Sequence, residues 1–178
     1  MRRHYGGGVL LSEFNDLDAA SAASVVRVWA DIPDWTDALV AARPYASVAD
    51  LEARATTLAA SWTVAELDVA LAHHPRIGEQ PTAFDAGAEA SRREQAAMQT
   101  AADDVTARIA EGNAAYEERF GRVFLIRAAG RTPDEILAAL ERRLAGDDDA
   151  EAAEASVQLA EIALLRLRDS LTDDRMGA

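Results

Sequence analysis

Apolar residues recur at helical spacing along most of the chain, and polar breaks divide them into short segments. Leu17, Ala20, Val25, Val28 and Trp29, followed by Trp35, Leu39 and Val40, predict two short amphipathic helices before residue 45, separated near Asp31-Ile32-Pro33-Asp34. Arg43-Pro44 closes the second, and Ser47 caps a third that runs to about Ala60. Thr63-Val64-Ala65-Glu66 has the reciprocal capping pattern that opens a fourth, and Pro75 stops it. His73 and His74 are thereby expected at a helix C-terminus.

From Arg76 to about Ala90 the periodicity lapses into a Gly- and Pro-containing stretch, Ile77-Gly78-Glu79-Gln80-Pro81 and then Phe84-Asp85-Ala86-Gly87. A connection of this length inside a compact domain is often functional. Helical spacing resumes at Ser91 and, with a break near Asp103-Asp104, runs to Phe120-Gly121, where glycine is a natural stop. Val123-Phe124-Leu125-Ile126 is a continuous apolar run expected to be a buried extended segment. No other segment offers a comparable strand, so a wide sheet is excluded. Thr132-Pro133-Asp134-Glu135 starts the next helix, with Thr as cap, Pro in the first turn and acids toward the dipole, and that helix should end by Gly146. Asp147-Asp148-Asp149 then leads into a long final helix carrying Val157, Ala160, Ile162, Leu164, Leu165, Leu167 and Leu171. The expectation is an all-α fold, one domain over residues 1–178, built as a bundle of about seven to nine helices.

Composition narrows what such a bundle does. The 178 residues suit one well-buried core. A net charge of -13 repels phosphate backbones, and no basic stripe with interleaved aromatics offsets it, so no nucleic-acid partner is expected. No apolar run approaches a membrane span and the amino terminus lacks a signal-peptide pattern, so no membrane partner is expected and the chain is read as cytoplasmic. Zero cysteines fit that compartment. All 18 basic residues are arginine, so neither a Schiff base nor a lysine-anchored pyridoxal phosphate can form. With only His4, His73 and His74 and no Cys, no metal site is expected either.

Five motifs in order then carry a resemblance. They are His74-Pro75-Arg76-Ile77-Gly78, Ser91-Arg92-Arg93-Glu94-Gln95, Asn113-Ala114-Ala115-Tyr116, Arg119-Phe120-Gly121, and Arg166-Leu167 on the last helix. Trp35, Arg43-Pro44-Tyr45, Phe124 to Gly130, Ile136-Leu137, Arg143-Leu144, Glu151 and Glu161 support them. Nearly the whole chain resembles the family that decarboxylates 2-oxo-4-hydroxy-4-carboxy-5-ureidoimidazoline (OHCU), a late product of urate oxidation, to (S)-allantoin. The resemblance implies an all-helical fold, no cofactor, a small-molecule substrate, and His74, Glu94 and Arg166 as catalytic residues. Pro75, Ser91, Gln95 and the backbone of Ile126, Arg127, Ala128, Ala129 and Gly130 are implied to bind substrate, and a homodimer is compatible with it. The chain departs from the family pattern at Phe120-Gly121-Arg122-Val123-Phe124 and at Arg143-Leu144-Ala145-Gly146.

The chemistry suits this inventory. In OHCU one carbon carries hydroxyl and carboxylate beside a C=N bond, so electrons released with CO2 flow into that imine. The enzyme must orient the breaking bond, stabilise charge and deliver one proton to one face. An ordinary imidazole titrates near working pH, which suits His74 to proton transfer; Glu94 would orient it, and Arg166 offers a bidentate fork to an oxygen. Each residue also has a plainer role: His74 and His73 as helix-end caps, Ser91 with Glu94 as a capping box, Arg166 and Arg168 as surface ion-pair formers, and Asn113 and Tyr116 as structural groups. Arg166 and Arg168 project about 200° apart on a helix. Two other classes stay open, a non-catalytic helical interaction module and a same-fold lyase or hydrolase acting on another ureide.

Overall fold

The helical periodicity is realised as nine α-helices in a computed structural model that describes residues 9–72, 74–79 and 86–174. The chain divides into two compact units, Met1–Ser61 with Ile162–Ala178, and Trp62–Glu161.

In the first unit β1 (Val9–Leu10) pairs in parallel with β2 (Leu171–Thr172), Val9 opposite Leu171 and Leu10 opposite Thr172. Between them lie α1 (Leu11–Asp16), α2 (Ala19–Trp29), α3 (Pro33–Ala41) and α4 (Val48–Ala59), together with the residues of α9 (Asp148–Ser170) from Ile162 onward. The core is aromatic: the Trp29 ring lies 5.9 Å from Phe14 and 6.5 Å, nearly edge-on, from Trp35. Both indole N–H groups donate, Trp29 to Ser170 Oγ at 2.8 Å and Trp35 to the Ala55 carbonyl at 3.1 Å, so their burial leaves no orphaned donor. Arg43 donates to the carbonyls of Phe14, Leu17 and Val40, gathering carbonyls from the C-terminal ends of α1 and α3. The residues after β2 act on helix starts: Asp174 accepts from the Ser12 N–H and hydroxyl on α1, and Asp173 accepts from the Val48 N–H on α4. Two expectations change here. The six-residue α1 buries only Leu11 and Phe14, too few apolar positions for a period to show. On α2 the buried face is Ala22, Ala23, Val26 and Trp29, and Ala20 is exposed; alanine fits either face, so the pattern allowed both registers.

The second unit holds α5 (Val64–Leu71), α6 (Ala86–Glu94), a 3-10 turn over Ala96–Thr100, α7 (Asp103–Phe120), α8 (Pro133–Leu144) and α9 up to Glu161. Thr63 with Glu66 forms the expected capping box and Thr132 caps its helix as expected, its box with Glu135 being an addition; the threonine oxygen accepts from the glutamate N–H at 3.2 and 3.3 Å. α7 and α8 approach closely at Gly112, where a Cβ would stand 2.6 Å from Leu140 Cδ2. Gly121, at φ +69°, ends α7 as predicted. Phe124, Leu125 and Ile126 are buried as expected. They belong to one apolar cluster or flank it: Ile77, Ile109, Tyr116, Ile126, Ile136 and Leu140 pack together, so the 74–79 and 126–130 segments share a core.

Two boundaries and one buried face differ. Helix resumes at Ala86, not Ser91, because the alanines around Gly87 carry the helix through one glycine at a cost of about 1 kcal/mol. Ser91 is therefore interior to α6 and is not a helix cap. The break before α7 comes at Ala101 and Ala102, ahead of Asp103 and Asp104, which occupy the first turn where acids suit the dipole. On α9 the buried positions include Ala155, Leu159, Ile162, Ala163 and Leu167, whereas Val157 is exposed. His73 and the span from Gln80 to Asp85, Phe84 included, lie outside the described residues.

Candidate active site

His74 stands just beyond α5, which ends at Leu71, and not on the helix itself. Its N–H closes the turn onto the Leu71 carbonyl at 3.0 Å, and Pro75 prevents further helix. The side chain is half-buried and both ring nitrogens are shielded from solvent.

The residues after Pro75 are held from three directions. Gly78 takes φ +85°, the left-handed region that glycine adopts without a Cβ penalty, and its N–H donates to Gln95 Oε1 at 2.9 Å. Gln95 Nε2 donates to the Arg76 carbonyl at 3.3 Å. Asn113 Nδ2 on α7 donates to the Ile77 carbonyl at 3.0 Å. The Arg76 guanidinium donates from Nε and Nη2 to the two oxygens of Glu117, at 2.5 and 2.8 Å. That hydrogen bonding holds the Glu117 carboxyl below its ordinary range and raises Arg76. Arg76, Gly78, Gln95 and Asn113 are thus the brace of the segment that carries His74. A groove of about 400 Å³ runs beside it, lined by Arg76, Gly78, Glu79, Ile109, Asn113 and Glu117. His74 and Glu94 are not among the lining residues.

Ser91 is buried and Glu94 half-buried on α6, directly ahead of Gln95. In the segment from Ile126 to Gly130, Ile126 and Ala128 are buried, and Gly130 sits at φ +81°. The Arg127 N–H donates to Gln158 Oε1 at 2.9 Å, its Nε to Glu161 at 2.9 Å, and its Nη1 to the Ala129 carbonyl at 3.1 Å. Arg166 lies in the first unit, half-buried, with Nη1 donating to the Val28 carbonyl at 3.0 Å. Arg168 is exposed and forms a two-pronged ion pair with Glu52, one arm at 3.0 Å. Among the described residues no three His, Asp or Glu side chains are grouped so as to hold a metal ion.

The sequence pattern of OHCU decarboxylase matches residues 15–168, which contain every one of these groups. The chain belongs to the OHCU decarboxylase family. It is 26% identical over 166 residues to the uric acid degradation bifunctional protein PucL of Bacillus subtilis strain 168, covering 92% of this chain and 33% of that one. It is 30% identical over 107 residues to the uric acid degradation bifunctional protein TTL of Arabidopsis thaliana, covering 58% of this chain and 33% of that one. The chain therefore spans about a third of the length of these curated relatives. Its fold is similar to that of an OHCU decarboxylase crystallised in the presence of (S)-allantoin, with TM-score 0.67, 23% identity, and coverage of 79% of this chain and 92% of that one. It is equally similar to an (S)-allantoin synthase, with TM-score 0.67, 19% identity, and coverage of 92% and 54%.

In this family member a buried ionic network lies beneath the 126–130 segment. Glu151 accepts from the Tyr116 hydroxyl and from Arg143 Nε and Nη2, while Arg143 Nη1 donates to the Leu125 carbonyl at 2.6 Å. The Arg143 guanidinium also stacks 4.7 Å from the Phe124 ring centroid. Burial, reinforced by the Glu151 carboxylate, pushes the Tyr116 phenol well above its ordinary range. Asn113 and Tyr116 thus have the structural roles expected of them, but Arg143 and Gln158 went unrecognised as anchors. One signal was present: each is a polar residue in an apolar register, Arg143 three after Leu140 and Gln158 three after Ala155.

Proposed function

We propose that this chain decarboxylates OHCU to (S)-allantoin in urate degradation. The observation that carries the reading is the family match over residues 15–168, which includes all five motifs in order. In the proposed reaction the C–COO⁻ bond breaks and CO2 leaves; its electron pair forms a C=C bond to the neighbouring carbon while the C=N pair passes to nitrogen, which takes a proton. The neighbouring carbon then takes a proton on one face as the hydroxyl gives up its own and becomes a carbonyl, a net uptake of one proton in place of CO2.

His74 is the proposed proton-transfer group, and both its ring nitrogens are shielded from bulk solvent. Glu94 orients the imidazole or holds the ureido and hydroxyl groups. Arg166 meets an anionic oxygen, and its engagement of a backbone carbonyl fixes the guanidinium for that role. Pro75, Ser91 and the backbone from Ile126 to Gly130 contact substrate, and Gln95 contributes through the loop it braces. No cofactor is required, because the imine of the substrate is itself the electron sink.

The same reading takes residues 1–178 as one functional unit in the cytoplasm, with a homodimer compatible with it. Among the described residues no helix is long and apolar enough to cross a membrane. The test is to incubate the pure protein with freshly oxidised urate and follow circular dichroism. Rapid appearance of the (S)-allantoin signal is expected; a racemic product at the spontaneous rate refutes the proposal.

A further inference from the structure

We propose that Gln158, acting with Arg143, is a positioning residue for this reaction: the two side chains pin the peptide groups on either side of Ile126 and so aim its N–H and C=O at the substrate. The inference rests on the function proposed above. It starts from which backbone groups of the segment are occupied. The carbonyls of Leu125, Arg127, Ala128 and Ala129 each accept a hydrogen bond, from Arg143 Nη1, Arg131 Nε, the Arg131 N–H and Arg127 Nη1 respectively. Ile126 is the exception. It is only 6% exposed, yet neither its N–H nor its C=O has a partner among the described residues. Buried backbone groups are nearly always paired, so an orphaned donor and acceptor on one residue mark a place where a ligand completes the bonding.

The two anchors determine where those groups point. A trans peptide directs its C=O and N–H to opposite sides. Arg143 holds the Leu125 carbonyl at 2.6 Å, so the Ile126 N–H is turned away from Arg143. Gln158 accepts the Arg127 N–H at 2.9 Å, so the Ile126 carbonyl is turned away from Gln158. Glu151, which grips Arg143, and Gln158 are seven residues apart on α9 and therefore share one face to within about 20°. Both anchors pull from that face, and both orphaned groups of Ile126 face the other way. The N–H groups of Ala128, Ala129 and Gly130 are likewise without partners among the described residues, so the segment is rich in donors, and its free acceptors are the carbonyls of buried Ile126 and exposed Gly130. That complements a ureide, whose carbonyl and carboxylate oxygens accept and whose HN–C=O edge both donates and accepts.

Gln158 is 7% exposed and is the cleaner anchor to test, because Arg143 also closes a buried ion pair. Its Oε1 is the atom in use, and its Nε2 makes no bond among the described residues, so a carboxylate can replace the amide as acceptor. Initial rates on freshly oxidised urate, with thermal melts as the folding control, should show Gln158→Met raising KM about tenfold while kcat stays within about threefold. Gln158→Glu should return KM to within about threefold of wild type. Amide exchange at Arg127 should speed up in the methionine variant and not in the glutamate variant. If the methionine variant fails to fold, Gln158→Asn, one methylene short of the N–H, should give the same rise in KM. A folded variant without the acceptor but with wild-type KM overturns the inference, as does an equal rise in the methionine and glutamate variants, which would mark a packing role. Wild type that fails to turn over OHCU refutes the functional proposal itself and this inference with it.

Discussion

Replacing Glu151 with leucine should be among the most damaging single changes in the second unit. The Glu151 and Arg143 side chains are each only 1% exposed, so removing the carboxylate strands a guanidinium in the core. Breaking a buried pair from one side costs about 3–5 kcal/mol. The nearest remaining carboxylate, Glu154, is 3.9 Å from Arg143 Nε and one-third exposed, so it compensates only in part and the lower end, about 3 kcal/mol, is expected. For a chain of this size about 3 kcal/mol lowers Tm by roughly 6–12 °C. Urea unfolding of Glu151→Leu, Arg143→Met and the double variant provides the measurement. The double variant removes both charges and should be less destabilised than the two singles added together, by about 1–3 kcal/mol. It should still fall short of wild type, because the Tyr116 hydroxyl and the Leu125 carbonyl lose their partners. A Glu151→Leu variant within about 1 kcal/mol of wild type, or strict additivity in the cycle, would refute the reasoning.

His74→Asn should keep the fold and slow decarboxylation by about 10² to 10⁴-fold, with the remaining allantoin close to racemic by circular dichroism. Near-normal production of the (S) form would make the histidine a structural residue. Arg166→Lys should lose most turnover, because a point charge cannot replace a planar fork, whereas Arg168→Lys, on the exposed pair with Glu52, should stay near wild type. The Glu117 carboxyl is lowered by its hydrogen bonds from Arg76, so its contribution to stability is present above the unfolded pKa and is lost as pH falls through the folded value. Glu117→Gln should therefore flatten the decline in stability below about pH 4, read from urea midpoints across that range. Gly112→Ala should cost about 1–3 kcal/mol in the same assay, because its Cβ meets the fully buried Leu140.

What the sequence made legible was local. Thr63 with Glu66 and Thr132 with Glu135 announce their helices because donor and acceptor stand three residues apart, and Gly121 announces a stop through its own conformational freedom. The same local reading misled at Ser91 and Glu94, where the spacing imitates a cap although α6 begins five residues earlier. At the site, the His74 segment was visible as a motif, but its brace was not: the Gln95, Asn113 and Glu117 side chains reach it from 17, 36 and 41 positions away. The anchors of the 126–130 segment are similarly remote, Gln158 lying 31 positions from Arg127. Side chains that serve a distant backbone leave only a faint mark, a polar residue where the period asks for an apolar one.

The stitching of α1 and α4 by Asp173 and Asp174 bears on how the chain is born. Synthesis is vectorial, and domains ordinarily fold in the order in which they leave the ribosome. Here the first unit is discontinuous. Its β1 strand waits for Leu171 and Thr172, and the starts of α1 and α4 wait for carboxylates more than a hundred residues downstream. The second unit, an unbroken stretch from Trp62 to Glu161, has all its own contacts in hand sooner. The stretch made earlier is therefore the one completed later, and until residues 162–174 have emerged its aromatic core stands incomplete before chaperones and proteases.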